Sequence, residues 1–268
     1  MSRASVVLTF LQIFALFWWV NLQLIPSHTT DWNFWFNGYY GVVFLVGGLI
    51  GLFSTSQVGG TKSSIGNALI FTSSGIVMYG IGQMVWLGYN LMGTDVPYPS
   101  LADFFFISFV PLLAVGFWHI FKIFKTEIKR KIIFEFALTL LVVAAVVLTY
   151  INQPDLNLEL SLESRLLNMY YPLADSFMIA IAIFTFRLSS DKFNKTILFF
   201  IIGLLSHAIA DFLFTFNTAH NLYWNGDLSD LLFSIGGFFM GMGVISLVDS
   251  FTMIDNNKTG SSSQPFSL

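Results

Sequence analysis

Residues 195–216 have the sequence KTILFFIIGLLSHAIADFLFTF, and this stretch decides the fold class. A helix that crosses a bilayer needs about 20 mainly apolar residues. The stretch is long enough, and its only ionisable side chains are Lys195, His207 and Asp211. Because lipid offers the backbone no hydrogen-bonding partners, a run of this length must bond its own peptide groups, which predicts a helix and not a strand.

Similar apolar runs occupy nearly the whole chain. Its 268 residues are 55% hydrophobic and 10% charged, whereas an average soluble domain is about 25% charged. This composition excludes a soluble globule and a disordered chain. We predict an all-α, polytopic membrane helix bundle with about eight transmembrane helices, as one domain over residues 1–248 with a short polar cytoplasmic tail over 249–268. The helices are predicted at approximately residues 6–25, 38–54, 66–92, 101–121, 132–151, 169–187, 195–216 and 229–248.

The basic residues predict the orientation. If the N-terminus is cytoplasmic, 11 of the 12 Lys and Arg residues fall on the inner side and Arg165 alone falls outside, as the positive-inside rule requires. We therefore expect both termini to be cytoplasmic and the protein to lie in the plasma membrane. The first run, at about 20 residues, is longer than a signal-peptide core, so we interpret it as an uncleaved helix.

Charge and cysteine content limit the partners. The basic loop Lys122–Lys131 is explained by the positive-inside rule, and it is also a candidate docking site for a cytoplasmic signalling partner or anionic lipid. A net charge of −3 gives no reason to expect nucleic-acid binding. With no cysteine in the chain, disulfides, Cys-ligated metals and a Cys nucleophile are excluded.

Polar side chains within the predicted helices are the candidate site residues. Ionisable groups in a bilayer are costly and usually face a cavity or a partner. We predict an outward-facing ligand pocket lined by Gln83, Asp103, Asp175, His207, Asp211 and Asp230.

Some of these acids also have a structural interpretation. Asp103 and Asp230 stand three residues after Ser100 and Asp227, the spacing of first-turn acids that cap a helix. For Asp175 a structural and a ligand-facing role are both open. These alternatives cannot be separated by spacing alone.

Asp211 cannot be explained by capping, because it lies near the end of its helix where the dipole opposes negative charge. His207 precedes it by four residues and so shares its helix face. We expect the pair to face the bundle interior and to share a cavity with Asp175 or Gln83, as a structural contact, a pocket wall, or a metal or catalytic pair. Apolar residues of the same helix are expected to face lipid instead: Phe199, Phe200, Leu204, Phe212 and Phe214.

No metal, cofactor or catalytic residue is assigned from the sequence. Zinc requires three or four converging ligands, and only His207 and Asp211 are closely spaced.

Short motifs give a family resemblance. The Tyr-Pro-x-Leu-Ala-Asp pattern of residues 98–103 recurs, one residue shorter, at 171–175. Together with DVPYPSLADFFF at 95–106, ADFLF at 210–214 and GDLSD at 226–230, the chain resembles a bacterial integral-membrane sensor region over about residues 66–248. That multi-helix region is found N-terminal to diguanylate cyclase, cyclic-di-GMP phosphodiesterase and histidine kinase domains. The resemblance implies a sensory membrane module.

Three functions follow as hypotheses. The first is a stand-alone membrane sensor or receptor-like module that signals through a separate partner. The second is a membrane-embedded lipid hydrolase that uses the His207/Asp211 pair, since the segment around these residues is similar to lysoplasmalogenase-type enzymes. The third is a small transporter or a subunit of a membrane complex. We expect a binding role in preference to an enzymatic one.

Overall fold

The computed structural model describes residues 2–93, 96–124, 130–151, 161–189 and 191–261. Within these ranges the chain is helical and contains no strand. Two short 3-10 turns, Thr55–Val58 and Gly60–Lys62, join the second and third helices. The α-helices are α1 Arg3–Leu24, α2 Asp31–Ser54, α3 Ser64–Leu91, α4 Leu101–Phe124, α5 Arg130–Ile151, α6 Leu162–Leu188, α7 Asp191–Ala219 and α8 Leu228–Ser261.

Seven of these helices are long and apolar enough to cross a membrane. In α5, the described residues contain only a shorter apolar helix, Ile133–Val142. The all-helical architecture is therefore confirmed and fits a multi-pass membrane protein. The eighth span stays a prediction.

Six helices form a closed ring. Each packs against the next in the order α2, α3, α4, α6, α7 and α8, and α8 packs against α2 to close it. The remaining two lie outside the ring, with α1 against α2 and α8 and with α5 against α6. The ring is filled by aromatic and aliphatic side chains such as Phe109, Phe117 and Phe200, which are all buried.

Glycine allows neighbouring helices to approach closely. A Cβ on Gly47 of α2 would lie 3.0 Å from the Cα of Gly241 of α8, and a Cβ on Gly203 of α7 would lie 3.0 Å from the carbonyl oxygen of Gly236 of α8. Any larger residue would push these helices apart. Small residues form such close helix interfaces in lipid.

One end of the bundle gathers alternate helix termini. Gln23 Nε2, near the end of α1, donates to the carbonyl oxygen of Gly226 just before α8 at 3.0 Å. Ser164 Oγ in the first turn of α6 donates to the carbonyl oxygen of Tyr98 just before α4 at 3.1 Å. The end of α1 therefore lies beside the start of α8, and the starts of α4 and α6 lie side by side. We call this end of the bundle the acidic end, because Asp103 and Asp230 lie here in the first turns of α4 and α8.

The opposite end, which we call the basic end, carries an ion pair between α5 and α6 and a second one within α5. Arg187 of α6 contacts Glu135 of α5 at 2.5 Å, and Lys131 lies 4.0 Å from the same carboxylate. Of the predicted docking loop Lys122–Lys131, residues 125–129 lie outside the described residues. Docking of a partner there stays a prediction.

Three predicted helix boundaries need correction. α2 begins at Asp31 instead of residue 38, because Thr30 and Asn33 form a capping box in which Asn33 Oδ1 accepts from the Thr30 amide at 3.1 Å. α6 begins at Leu162 instead of residue 169, because Ser161 Oγ accepts from the Ser164 amide at 3.2 Å. Both caps extend the helices into polar sequence that hydrophobicity alone excluded.

α8 extends beyond its predicted end at residue 248. It continues to Ser261, so most of the predicted tail is helical, and residues 262–268 lie outside the described part. Phe251 packs against the core, and Thr252 Oγ1 donates to the Val248 carbonyl at 3.2 Å. These contacts continue the helix past its apolar segment.

A proline inside α4 creates a specific link to α6. Pro111 lacks an amide hydrogen, so the carbonyl of Ile107 loses its partner within the helix. Tyr170 of α6 donates its hydroxyl to this carbonyl at 2.8 Å. This hydrogen bond holds α6 beside α4 close to Asp103 of α4 and Asp175 of α6.

Candidate ligand-binding site

A cavity of about 460 Å³ lies within the ring at the acidic end. Residues of all six ring helices line it, together with the segments before α4 and α8. Tyr98, Thr218 and Ala219 line it and are exposed, which marks its mouth. Small-molecule sites are typically concavities of about 300–1,000 Å³ that are mostly apolar with a few polar groups. The size and position of this cavity suit such a site.

All six residues predicted from the sequence line this one cavity. Gln83 comes from α3, Asp103 from α4, Asp175 from α6, His207 and Asp211 from α7, and Asp230 from α8. The structure thus brings together side chains that are up to 147 positions apart in the sequence. Ligand binding by these residues stays a prediction.

Sequence reasoning missed the aromatic wall of the cavity. Three of its members had a signal: Tyr98 and Tyr171 open the repeated motif, and Tyr79 lies one turn before Gln83 on the same helix face. None of the described residues that line the cavity is Lys or Arg. The aromatic lining residues are Tyr40, Tyr79, Trp86, Tyr98, Phe106, Phe109, Tyr171, Phe214, Phe216, Tyr223 and Phe233.

Asp103 caps α4 and is held by a tyrosine. Its Oδ2 accepts from the Ser100 amide at 2.6 Å and from the Ser100 hydroxyl at 2.9 Å. Its Oδ1 accepts from the Tyr171 hydroxyl at 2.6 Å. The predicted capping role is confirmed, and the tyrosine contact adds a bond between α4 and α6.

Asp230 has the same double role at the start of α8. Its Oδ2 accepts from the Gly226 amide at 2.6 Å, and its Oδ1 accepts from the Tyr40 hydroxyl at 3.2 Å. Tyr223 approaches both oxygens at 3.4 Å. Asp227 completes the cap by accepting from the Ser229 amide at 2.8 Å.

Two tyrosines in the connecting segments stay protonated. Burial and the nearby Asp230 raise the pKa of Tyr223 well above its usual value. Burial and the nearby Asp103 raise the pKa of Tyr98 in the same way. Both hydroxyls therefore remain hydrogen-bond donors, Tyr223 toward Asp230 and Tyr98 toward Asn168 Oδ1 at 2.6 Å.

The other three predicted ionisable residues form a separate group, the 175–207–211 cluster. One ligand atom from each of Asp175, His207 and Asp211 lies within 4.8 Å of the other two. His207 Nε2 and Asp211 Oδ2 are 3.9 Å apart, which is too long for a hydrogen bond. The carboxyl groups of Asp175 and Asp211 therefore lie side by side, although they come from different helices.

His207 is buried in an aromatic shell without a hydrogen-bonding partner. It is 3% exposed, and its Nδ1 has no partner among the described residues. Its ring lies 4.7 Å from that of Tyr79, 5.0 Å from that of Phe109 and 5.2 Å from that of Phe233. Gln83 Oε1 is a second buried atom in this cavity without a partner in the described part of the chain. Unsatisfied buried polar atoms are uncommon in native proteins and point to water, an ion or a ligand.

The predicted lipid-facing side of α7 needs correction. Phe200 and Leu204 are buried, and Phe214 lines the cavity. Positions 200, 204, 207 and 211 follow the four-and-three spacing of one helix face, so Phe200 and Leu204 share the inner face with the cluster. The exposed face of α7 carries Leu198, Leu205, Ile209 and Phe212.

Comparison with known proteins adds no assignment. No protein-family model, no curated protein and no solved structure matches this chain. The resemblance to bacterial sensor regions therefore stays a prediction from short motifs. Functional inference depends on the geometry of the cavity.

Proposed function

We propose that this chain is a membrane-embedded receptor module that binds a small molecule in the cavity and passes the binding event to its basic end. The observation that carries the proposal is the cavity itself, which is lined by six helices, eleven aromatic rings and four Asp side chains. The rings suit the apolar body of a ligand, and the unpartnered atoms of His207 and Gln83 suit its polar groups.

α6 is the element that joins the cavity to the basic end. Asp175 lines the cavity, and Arg187 on the same helix pairs with Glu135 of α5. Twelve residues of α-helix separate these two positions, or about 18 Å at 1.5 Å per residue. A shift of α6 on ligand binding would therefore change the Arg187–Glu135 contact. Such a shift would carry the binding event from the cavity to the basic end, as a sensor requires.

Binding is tested by thermal shift on purified protein with a library of small amphiphiles. A ligand at 100 times its Kd adds about 2.7 kcal/mol to the free energy of unfolding. Hits are measured again on Ala219→Trp, which narrows the mouth, and on Leu205→Trp, which adds the same ring to the exposed face of α7. We expect the shift to be lost only in Ala219→Trp. Hits that stabilise both variants equally would place binding outside the cavity.

The proposal includes a topology, with the acidic end outside the plasma membrane and both termini in the cytoplasm. The excess of basic residues at the opposite end supports this orientation. Because the chain has no cysteine, single cysteines report it directly. A membrane-impermeant maleimide should label Leu222→Cys on intact cells and Thr61→Cys only after permeabilisation. The reverse pattern would invert the topology.

A membrane-embedded lipid hydrolase is the second candidate. The observation that favours it is the 175–207–211 cluster, in which an imidazole lies beside two carboxyl groups and could take part in activating water. Hydrolysis of lysophospholipids by purified protein, abolished in Asp211→Asn, would support the enzyme. Binding without turnover would favour the receptor.

A further inference from the structure

We propose that the 175–207–211 cluster binds one divalent transition-metal ion, with Zn²⁺ as the best match, through Asp175, His207 and Asp211. This site goes beyond the receptor function and does not depend on it, since a chain that senses no small molecule could still hold the ion. The proposal stands on the convergence of three ligand atoms and on His207, for which the described part of the chain supplies no hydrogen-bonding partner.

The residue types and their spacing match zinc. Imidazole nitrogen and carboxylate oxygen are both common zinc ligands, at about 2.0–2.2 Å. Tetrahedral coordination at these distances separates ligand atoms by about 3.4 Å. The three atoms lie within 4.8 Å of one another, and His207 Nε2 is 3.9 Å from Asp211 Oδ2. Inward movement of each atom by less than about 1 Å, within reach of side-chain rotation, closes the site.

His207 is the independent observation that points to a ligand. It is 3% exposed, lines the cavity, and has one ring nitrogen without any partner in the described residues and the other too far from Asp211 for a hydrogen bond. Neither ring nitrogen therefore has a hydrogen bond within the described residues. A buried imidazole normally has such a bond, because an unsatisfied polar group is costly away from water.

The charges favour a cation at this position. Asp175 and Asp211 place two carboxyl groups side by side in a cavity whose described lining contains no Lys or Arg. A divalent ion would balance both carboxylates and leave the site neutral. Three protein ligands also leave a fourth position open toward the cavity, the arrangement of zinc sites that bind water or substrate.

The site is tested by metal analysis of the full chain in detergent micelles. Protein is stripped with EDTA, exposed to equimolar Zn²⁺, passed through gel filtration and measured by elemental mass spectrometry. We expect about one zinc per chain. His207→Gln and Asp211→Asn should each weaken binding by more than the 10–100-fold that loss of an outer-shell partner causes.

Matched controls separate this site from surface binding. His220→Gln changes an exposed histidine in the same way, and Asp31→Asn changes an exposed acid; both should bind zinc like the unmodified chain. Metal-free melting temperatures of all variants check that they fold. If either variant does not fold, Asp175→Asn is measured in its place. The zinc content of the unmodified chain remains a test of the site that needs no variant.

Two outcomes would overturn the proposal. One is a zinc content near zero in the unmodified protein. The other is equal zinc binding by His207→Gln and the unmodified protein. Either result would leave the receptor proposal intact if small molecules still stabilise the chain and Ala219→Trp abolishes that effect. Zinc binding without any small-molecule hit would instead retain the metal site and remove the receptor.

Discussion

The two capping acids, Asp103 and Asp230, and the 175–207–211 cluster line one cavity but differ in what surrounds them. Each capping acid accepts a short bond from a backbone amide, at 2.6 Å, and at least one more from a tyrosine hydroxyl. In the cluster, His207 has no hydrogen bond in the described residues, and its Nε2 lies 3.9 Å from the Asp211 carboxylate. The capping acids thus have hydrogen-bonding partners within the chain, whereas His207 has none among the described residues.

This difference separates structural groups from groups available to a ligand. Capping acids accept hydrogen bonds from backbone amides near the start of a helix. These hydrogen bonds therefore contribute to the free energy of unfolding. The cluster gains little from its neighbours within the chain, so its folding contribution should be small. The three predictions below test this contrast by measuring the free energy of unfolding in mixed micelles, with EDTA present so that no metal contributes.

The largest effect is expected at Asp230. Asp230→Leu leaves the buried Gly226 amide and the Tyr40 hydroxyl without their acceptor. An orphaned buried donor costs about 1–3 kcal/mol, so we expect a loss of about 3 kcal/mol. Asp211→Leu makes the same substitution in the cluster and should change the free energy of unfolding by less than about 1 kcal/mol. Equal losses in the two variants would contradict the contrast.

Asp103 should show an intermediate effect. Asp103→Leu removes the acceptor of the Ser100 amide and of Tyr171, and we expect a loss of about 2 kcal/mol, because Ser100 is less buried than Gly226 and water replaces part of the bond. Asp103→Asn keeps one carbonyl oxygen for the cap, so it should lose about 1 kcal/mol or less. A severe loss in Asp103→Asn would show that the negative charge itself is required.

Much of the site was predictable because polar groups in lipid have few places to go. The inward orientation of Gln83, Asp175, His207 and Asp211 follows from the cost of exposing them to hydrocarbon. The capping of Asp103 follows from a three-residue spacing that operates within one helix. Both arguments use local sequence only.

The remaining features depend on tertiary contacts. Asp175 joins His207 because α6 packs against α7, and nothing in either helix specifies that neighbour. The aromatic wall was hidden because 31 Phe residues occur throughout the chain. The spacing of Phe200, Leu204 and His207 is enough to place all three on the inner face of α7. The prediction that Phe200 and Leu204 face lipid uses their hydrophobicity and not this spacing. Hydrophobicity alone does not tell which way such a side chain faces, because the interior of the bundle is as apolar as lipid. Close packing between the helices decides it instead.

The smallest effect is expected at His207, although it is among the most buried polar residues of the cavity. His207→Leu keeps a side chain of similar size and removes two polar atoms that have no bond within the described chain. The ring contacts to Tyr79, Phe109 and Phe233 are lost, and such contacts contribute about 0.5–1.5 kcal/mol each. Relief of an unsatisfied buried polar group, at about 1–3 kcal/mol, offsets that loss. We therefore expect a net change of less than about 1 kcal/mol, whereas a loss above about 2 kcal/mol would make His207 a structural residue and place it with the capping acids.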